Sequence, residues 1–516
     1  MSYPLLFTGL PLPDASPHLL APIGALAVRS AIGYLMAVTR LHQPSLALSV
    51  AILFLLGIGL RMGVFRLAAP IRVHWNLENA WRQGSGAIQG SQHHFFRGVV
   101  AAYNDNPVLD YPPLRMYIAT AWVRIIRSQG AAPAAFGSTA ERFDSILWPL
   151  LLVNAVADVA AAAGLYFLCR LCGLRRTALL VAAVWWFNPV TLLVSFAWPQ
   201  WDSWPVGPLL LATACVLAGK RPAAFAAAGA LVAVAALLKG QSLLVAAWFP
   251  LVTAGRALWL DRSPRRALIR LAALLASAAA VVFLITLPFT LHHSIQWLAI
   301  YAREITRDQI LSVDAWNLPL YLQDSLGLAP QSAVGIGPMA LTLSTLLKSL
   351  FLAWLLWITL ATIRSRDLAV AMLGPGLIFA AAFALLPGMH ERYGLWPAAL
   401  LTPVILRRWP GIVTYSLVSS LALLCPLAFC LVTSPDAAPR LSDLLIRLGP
   451  PLGLLWTAAA LAATVLFLRP PPAPPPMTAD EPRRSPRSDG RQLASHAPTG
   501  TPVALTLSTG PGDKPR

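Results

Sequence analysis

Charge is what this sequence has least of. Only 12% of its 516 residues are Asp, Glu, Lys or Arg, and 57% are hydrophobic. A soluble globular chain is about a quarter charged and about 45–50% apolar, so a water-soluble enzyme is excluded. Acidic residues are scarcer than basic ones, 21 against 39, for a net charge of +18. In a soluble protein that imbalance would point to nucleic acid. In a membrane protein it reads as basic cytoplasmic loops facing anionic lipid, and no nucleic-acid partner is expected. Cysteine is also rare, with five residues, all in or beside apolar segments. Cys169 and Cys172 have the spacing of half a zinc site, but no second pair or His accompanies them, so they read as small buried apolar residues. His93-His94 has no carboxylate at helical spacing, and no metal is expected. The N-terminus lacks a short basic stretch with an adjoining apolar core and cleavage site, so no cleavable signal peptide is expected. No internal repeat is evident, and with it the inverted-repeat signature of many transporters is missing.

What is abundant is long apolar runs. A spanning helix needs about 20 mostly apolar residues. That window predicts about 12 spans, near residues 45–66, 145–168, 177–197, 204–218, 223–238, 242–255, 267–289, 336–360, 368–386, 394–406, 411–433 and 444–467. The fold class is therefore all-α and polytopic, with a transmembrane domain over 45–468. Alternate short loops are basic: Arg170/Arg175/Arg176, Lys220/Arg221, Arg256/Arg262/Arg265/Arg266, Arg364/Arg366 and Arg407/Arg408. All fall on one side, which the positive-inside rule makes cytoplasmic, and both termini join them there. Residues 1–44 form a cytoplasmic or interfacial segment, with the apolar stretch 19–37 lying at the interface. Two large loops, 67–144 and 290–335, are then external and carry short helices that form a cap. In the first, Leu114–Ile126 follows Pro112-Pro113 and is too short to span, so it reads as an interfacial helix. Residues 469–516, rich in Pro, Arg, Ser and Thr, read as a disordered cytoplasmic tail. The weight of Ala, Leu, Pro and Arg favours a bacterial inner membrane.

Polar residues gather at the external ends of these spans. They are His74-Trp-Asn76-Leu-Glu78-Asn79; Asn104-Asp105-Asn106 to Asp110-Tyr111-Pro112-Pro113; Asn188-Pro189 with Gln200-Trp201-Asp202; Lys239-Gly240-Gln241; His390-Glu391-Arg392-Tyr393; and, more weakly, Asp314-Ala-Trp316-Asn317. Ionisable groups near membrane depth are costly and mark a pathway or site. Carboxylates supply general bases, cations hold phosphate, and Trp faces stack on sugar rings. Together they suit an anionic, sugar-bearing lipid. Plainer roles stand beside these: Asp110 as a helix cap, Lys239 and Arg392 snorkelling to the interface, His390 merely hydrogen-bonded. Asp158, inside the second span, is expected to pair with a neighbouring helix.

The stretches Asp110-Tyr111-Pro112-Pro113-Leu114, Gln200-Trp201-Asp202, Lys239-Gly240-Gln241 and Met389-His390-Glu391-Arg392-Tyr393 occur in this order. The set resembles the GT-C superfamily of integral-membrane glycosyltransferases. It is similar both to bacterial polyprenyl-phosphate-sugar-dependent enzymes and to the dolichyl-phosphate-glucose-dependent glucosyltransferases of N-glycan assembly. The resemblance implies a polyprenyl-phosphate monosaccharide donor, a glycan or lipid acceptor, inversion at the anomeric carbon and no metal or other cofactor. Lys239, Gln241, His390, Glu391, Arg392, Gln200, Asp202 and Tyr111 would hold the donor. An acidic residue of the first external loop would take the acceptor proton. The family places Asp where this chain has Asn76, an amide without basicity. Glu78 is the first candidate base, with Asp105 and Asp110 as alternatives. A lipid-linked-sugar transporter and an inactive glycan-binding relative are the rival readings.

Overall fold

The computed structural model describes residues 46–73, 75–89, 94–106, 109, 111–130, 144–306, 310–335, 340–434 and 439–468. The expected interfacial stretch 19–37, the tail from 469, His93 and Asp110 lie outside the described residues. Helices dominate. Nine helical segments among the described residues are long and apolar enough to cross a membrane, the architecture of an all-α polytopic membrane protein. Each coincides with an expected span. Two further expected spans are shorter helices, Val206–Ala218 and Pro222–Leu238. The last, 394–406, is broken into a helix Leu395–Leu400 and a 3-10 turn Thr402–Leu406 with Pro403 in its first turn.

We label the elements used below in chain order. Helix α1 is Leu46–Leu67, α2 Trp75–Gln89, α3 Phe95–Asp105, α4 Pro113–Ser128, α5 Trp148–Leu171, α6 Ala178–Trp186, α7 Val206–Ala218, α8 Pro222–Leu238, α9 Trp248–Trp259 and α10 Pro264–Leu291. Then come α11 Gln296–Thr306, α12 Leu318–Leu326, α13 Leu343–Arg364, α14 Gly374–Leu385, α15 Leu395–Leu400, α16 Arg408–Val432 and α17 Pro439–Leu468. Four two-residue strands complete the list: β1 Ser312–Val313, β2 Ala333–Val334, β3 Leu341–Thr342 and β4 Met389–His390.

Proline punctuates the bundle as helix chemistry requires. It opens α5, α8 and α10 near the first position, where its missing N–H costs nothing. Burial sorts the helices by environment. Every residue of α14 is buried, so it is the bundle's central helix. Only 6% of the apolar window of α10 is buried, and its Leu268, Phe283 and Leu284 side chains point outward as a lipid-facing surface. The helices α5 and α7 touch through glycine: a Cβ on Gly164 would sit 2.9 Å from the Leu210 Cβ, and one on Gly207 2.9 Å from Ala160. Small residues permit that approach where no hydrophobic force joins helices in lipid.

Asp158 of α5 does find a partner on a neighbouring helix. Arg61 of α1 donates to its Oδ2 from Nε at 3.2 Å and Nη2 at 3.0 Å, with both side chains fully buried. Ser195 Oγ donates to the other oxygen at 3.1 Å, and the guanidinium also bonds the Trp186 carbonyl and lies 3.6 Å from that residue's ring centroid.

The described part of the first large loop is folded. Helices α2, α3 and α4 pack on one another around their own apolar core, which includes Leu77, Trp81, Val99, Tyr103, Met116 and Trp122. Leu114–Ile126 is helical as expected but belongs to this core, with Met116, Ala119, Trp122, Val123 and Ile126 buried. The core continues through Trp201, Trp204, Leu238 and Phe289 of the bundle, which fastens the loop to the helix ends. In the second loop, β1 pairs in parallel with β4, Ser312 opposite Met389 and Val313 opposite His390. The antiparallel pair β2–β3 lies at the approach to α13.

Candidate functional site: a cationic cleft over a buried ion network

Three interruptions in the helices place the charged groups. The first follows α6. Asn188 accepts from Val190 N–H and opens a short turn, which widens into a π-turn at Leu193–Ala197. There Trp198 N–H reaches back to the Leu193 carbonyl and Gln200 N–H to the Val194 carbonyl, both at 2.8 Å, while Asn154 Nδ2 takes the Ser195 carbonyl at 2.7 Å. Single π-turns recur at functional sites. This one releases the chain so that Asp202 stands fully buried before α7 begins. The second interruption is the end of α8, where Lys239 adopts an extended backbone ahead of the Gly240–Ser242 turn. The third is the turn Glu391–Gly394, held by β4 on one side and α15 on the other.

These turns meet. Lys239 Nζ lies 3.0 Å from Asp202 Oδ1, and Arg392 Nε 3.1 Å from Asp202 Oδ2. Arg392 Nη1 also reaches Glu391 Oε1 at 2.6 Å, and His390 Nδ1 stands 3.6 Å from Glu391 Oε2. Trp396 Nε1 donates to the Asp202 carbonyl at 2.7 Å, which fixes the turn. Above them is a cleft of about 150 Å³, lined in part by Asn76, Tyr111, Arg115, Lys239, His390 and Arg392. Arg115 packs against two aromatic rings set edge to face, its Cζ 3.4 Å from the Tyr111 centroid and 3.7 Å from the Trp201 centroid. Stacking of that kind holds a guanidinium in one place at the cleft wall.

The electrostatics follow from burial and pairing. Burial alone would raise the Asp202 carboxyl, but Lys239 and Arg392 outweigh it and hold it below the ordinary value. Glu391 is likewise pushed up by burial and brought below its usual range by Arg392 and His390. Lys239 is lowered to about 8 by burial and the nearby arginines, against the pull of Asp202. His390 is lowered by burial and by Arg392, so its ring is neutral at pH 7. Arg392, despite its burial, is raised by Glu391 and Asp202 and stays cationic. Arg115, Lys239 and Arg392 thus bring three cationic side chains to the cleft wall, with the Asp202 and Glu391 carboxylates beneath them. Cationic groups at an opening suit an anion.

Of the residues singled out in the sequence, Tyr111, Lys239, Gln241, His390 and Arg392 line the cleft, and Asp202 and Glu391 stand beneath it. Gln200 is fully buried beside them, and neither its amide oxygen nor its nitrogen has a hydrogen-bond partner among the described residues. The carboxylates of the first loop are placed elsewhere. Glu78 turns to Arg82, one helical turn on, at 3.6 Å on the exposed side of α2, and is not among the cleft's lining residues. Asp105 is exposed at the end of α3. Asn76 and Asn79 line the cleft in their stead, and Asn76 Nδ2 has no partner among the described residues. Arg115 escaped the sequence reading. Its only signal was a cation two residues after Pro113, inside the first turn of a helix. Among the described residues no group of three or more His, Cys, Asp or Glu is disposed to hold a metal. No protein-family model and no curated protein sequence matches the chain.

Proposed function

We propose that this protein is an inverting glycosyltransferase that moves a hexose from a polyprenyl-phosphate donor to a glycan or lipid acceptor at the external face of a bacterial inner membrane. The twelve-span arrangement with both termini cytoplasmic belongs to this reading. The observation that carries it is the convergence of Arg115, Lys239 and Arg392 on a cleft walled by Tyr111, Trp201 and Tyr393. A sugar phosphate needs both halves of that surface: cations for a phosphate whose charge grows as the glycosidic bond breaks, and ring faces for the sugar. The acceptor hydroxyl attacks the anomeric carbon from the side opposite the phosphate. The anomeric C–O bond breaks, and polyprenyl phosphate leaves with its electron pair against Lys239 and Arg392. Asp202 and Glu391 do not take the acceptor proton in this scheme, because both are committed to cations. Asp110, which precedes the cleft residue Tyr111 in the chain, is assigned as the base ahead of Glu78 and Asp105.

The test uses the full chain in nanodiscs with a labelled polyprenyl-phosphate hexose and a membrane glycolipid extract as acceptor. Release of polyprenyl phosphate with transfer of label is the expected result. Asp110→Asn should lower turnover by about 10²–10⁴-fold with donor binding retained, and Glu78→Gln should lower it less. Dead Glu78→Gln with active Asp110→Asn would exchange their roles. A second reading, a donor-binding protein without chemistry, draws on Asn76 standing in the cleft. Tight donor binding with no phosphate release from any acceptor would establish it. Donor crossing the bilayer with its bond intact would make the protein a transporter.

A further inference from the structure

A second cavity, of about 350 Å³, lies at the opposite end of α7 and α8, around Gly219 and Lys220. Helix α8 has 17 residues and Lys239 follows its last one, which sets the two sites roughly 25 Å apart. The cavity's polar lining is Lys220, Thr253, Arg256, Asp261 and Arg270. Three cations thus face one carboxylate. Arg270 is held in place twice, by Asp261 at 2.7 Å and by the Phe225 ring, whose centroid is 5.1 Å from its Cζ. Arg256 is anchored through Nη1 to the carbonyls of Thr362 at 2.9 Å and Ser365 at 2.7 Å. Both guanidinium groups are therefore positioned before any ligand arrives.

Thr253 is the independent sign that something polar belongs there. It is 2% exposed, and its hydroxyl has no hydrogen-bond partner among the described residues. In the long helices elsewhere, Thr213, Thr286, Thr359, Thr362 and Thr464 each donate to the carbonyl four residues back. A buried hydroxyl left unpaired is costly unless a partner completes it. Beside the mouth, Leu171, Leu258 and Trp259 are more than half exposed, an apolar collar at a helix end.

We propose that this cavity binds a phosphate ester, the phosphate seated between Lys220 and Arg270 and accepting from Thr253 Oγ. The proposal does not depend on the transferase reading. The ester is either the headgroup of an anionic phospholipid or a soluble phosphate. The two sources separate by experiment on the full chain. In one arm, nanodiscs of phosphatidylcholine are compared with nanodiscs containing phosphatidylglycerol. In the other, glycerol phosphate is titrated into the phosphatidylcholine sample. Thermal unfolding reports protection, and native mass spectrometry counts retained lipid. The expected result is protection by at least one probe. Phosphatidylglycerol alone identifies a lipid site, and glycerol phosphate identifies a soluble one. Lys220→Gln, an exposed residue whose loss leaves the fold alone, should weaken the effective probe about tenfold. Thr253→Val should weaken it by several-fold yet leave the ligand-free protein as stable or more stable, since it removes an unpaired buried hydroxyl. Arg175→Gln, an exposed cation outside the cavity lining, should change nothing. No protection by either probe overturns the proposal, as does protection unchanged in both Lys220→Gln and Thr253→Val, or lost equally in Arg175→Gln.

Discussion

Two of the buried ion clusters among the described residues are built differently. Arg61 and Asp158 form a neutral pair with every strong partner supplied by the protein, including Ser195 and the Trp186 carbonyl. Asp202, Lys239, Glu391 and Arg392 form a larger cluster, with Arg115 nearby, and a cleft opens above it. Burying charge is expensive in both places. The closed pair recovers that cost by mutual satisfaction and joins α1 to α5. The open cluster keeps Lys239 and Arg392 at the wall of a cleft, where a ligand can reach them. Access, more than burial, separates the two.

The sharpest way to break that comparison is Asp158→Ala. It strands a buried guanidinium and should cost about 3–5 kcal/mol of stability. Reduced unfolding temperature and yield in detergent would register it, while donor affinity per folded molecule stays unchanged. The double variant Arg61→Met/Asp158→Leu should regain most of the loss, because a well-packed apolar pair replaces the ions. Donor affinity that falls with stability intact would mean the closed pair is part of the site after all.

Arg392→Ala comes next. Removing a positioned cation from a growing phosphate charge should raise the barrier by about 2–4 kcal/mol, read as a fall in turnover with folded yield maintained. Arg392→Lys should restore part of it through point charge alone, without the fork that now spans Asp202 and Glu391. Full turnover in Arg392→Ala would remove the residue from the site.

The smallest effect is a pH limb. Lys239 is lowered to about 8, so it is charged below that pH and neutral above it. Donor affinity should hold a plateau near pH 7 and decline as pH rises through 8, by only a few-fold because Arg115 and Arg392 stay charged. Bound phosphate shifts the limb upward by stabilising the ammonium. Lys239→Arg should abolish the decline between pH 7 and 10. A limb that persists in that variant belongs to another group.

The membrane class was legible because an apolar run of about twenty residues matches the thickness of a bilayer and is too apolar for water. Span length departs elsewhere: Val206–Ala218 keeps its expected place with only 13 residues, and the stretch 394–406, with Pro397 and Pro403, is broken into two short turns of helix. The ion network was legible only as an ordered set of short stretches. No local pattern states that Asp202, Lys239 and Arg392 converge from turns nearly two hundred positions apart. Glu78 shows a different loss. Read as loop, Asn76-Leu-Glu78 leaves both polar side chains free to face the site. Read as helix, two residues rotate the side chain by about 200°, which carries Glu78 to Arg82 and leaves Asn76 in the cleft. The segment reaches the cleft through Asn76 and Asn79, and the helical phase turns Glu78 away from it.

The parallel pairing of β1 with β4 has a consequence for how the protein comes apart. Among the described residues, Ser312 with Met389, Val313 with His390 and the bridge of Asp314 to His390, helped by Gly388 N–H to the Leu311 carbonyl, join the second loop to the turn carrying Glu391 and Arg392. So short a clasp, drawn from distant parts of the chain, opens at far less free energy than a long packed helix. Amide exchange at His390 should then run ahead of exchange in α14, whose every residue is buried. The fastening of this turn is the weak point of an otherwise durable frame, and the cleft can lose its shape to a fluctuation that leaves the bundle intact.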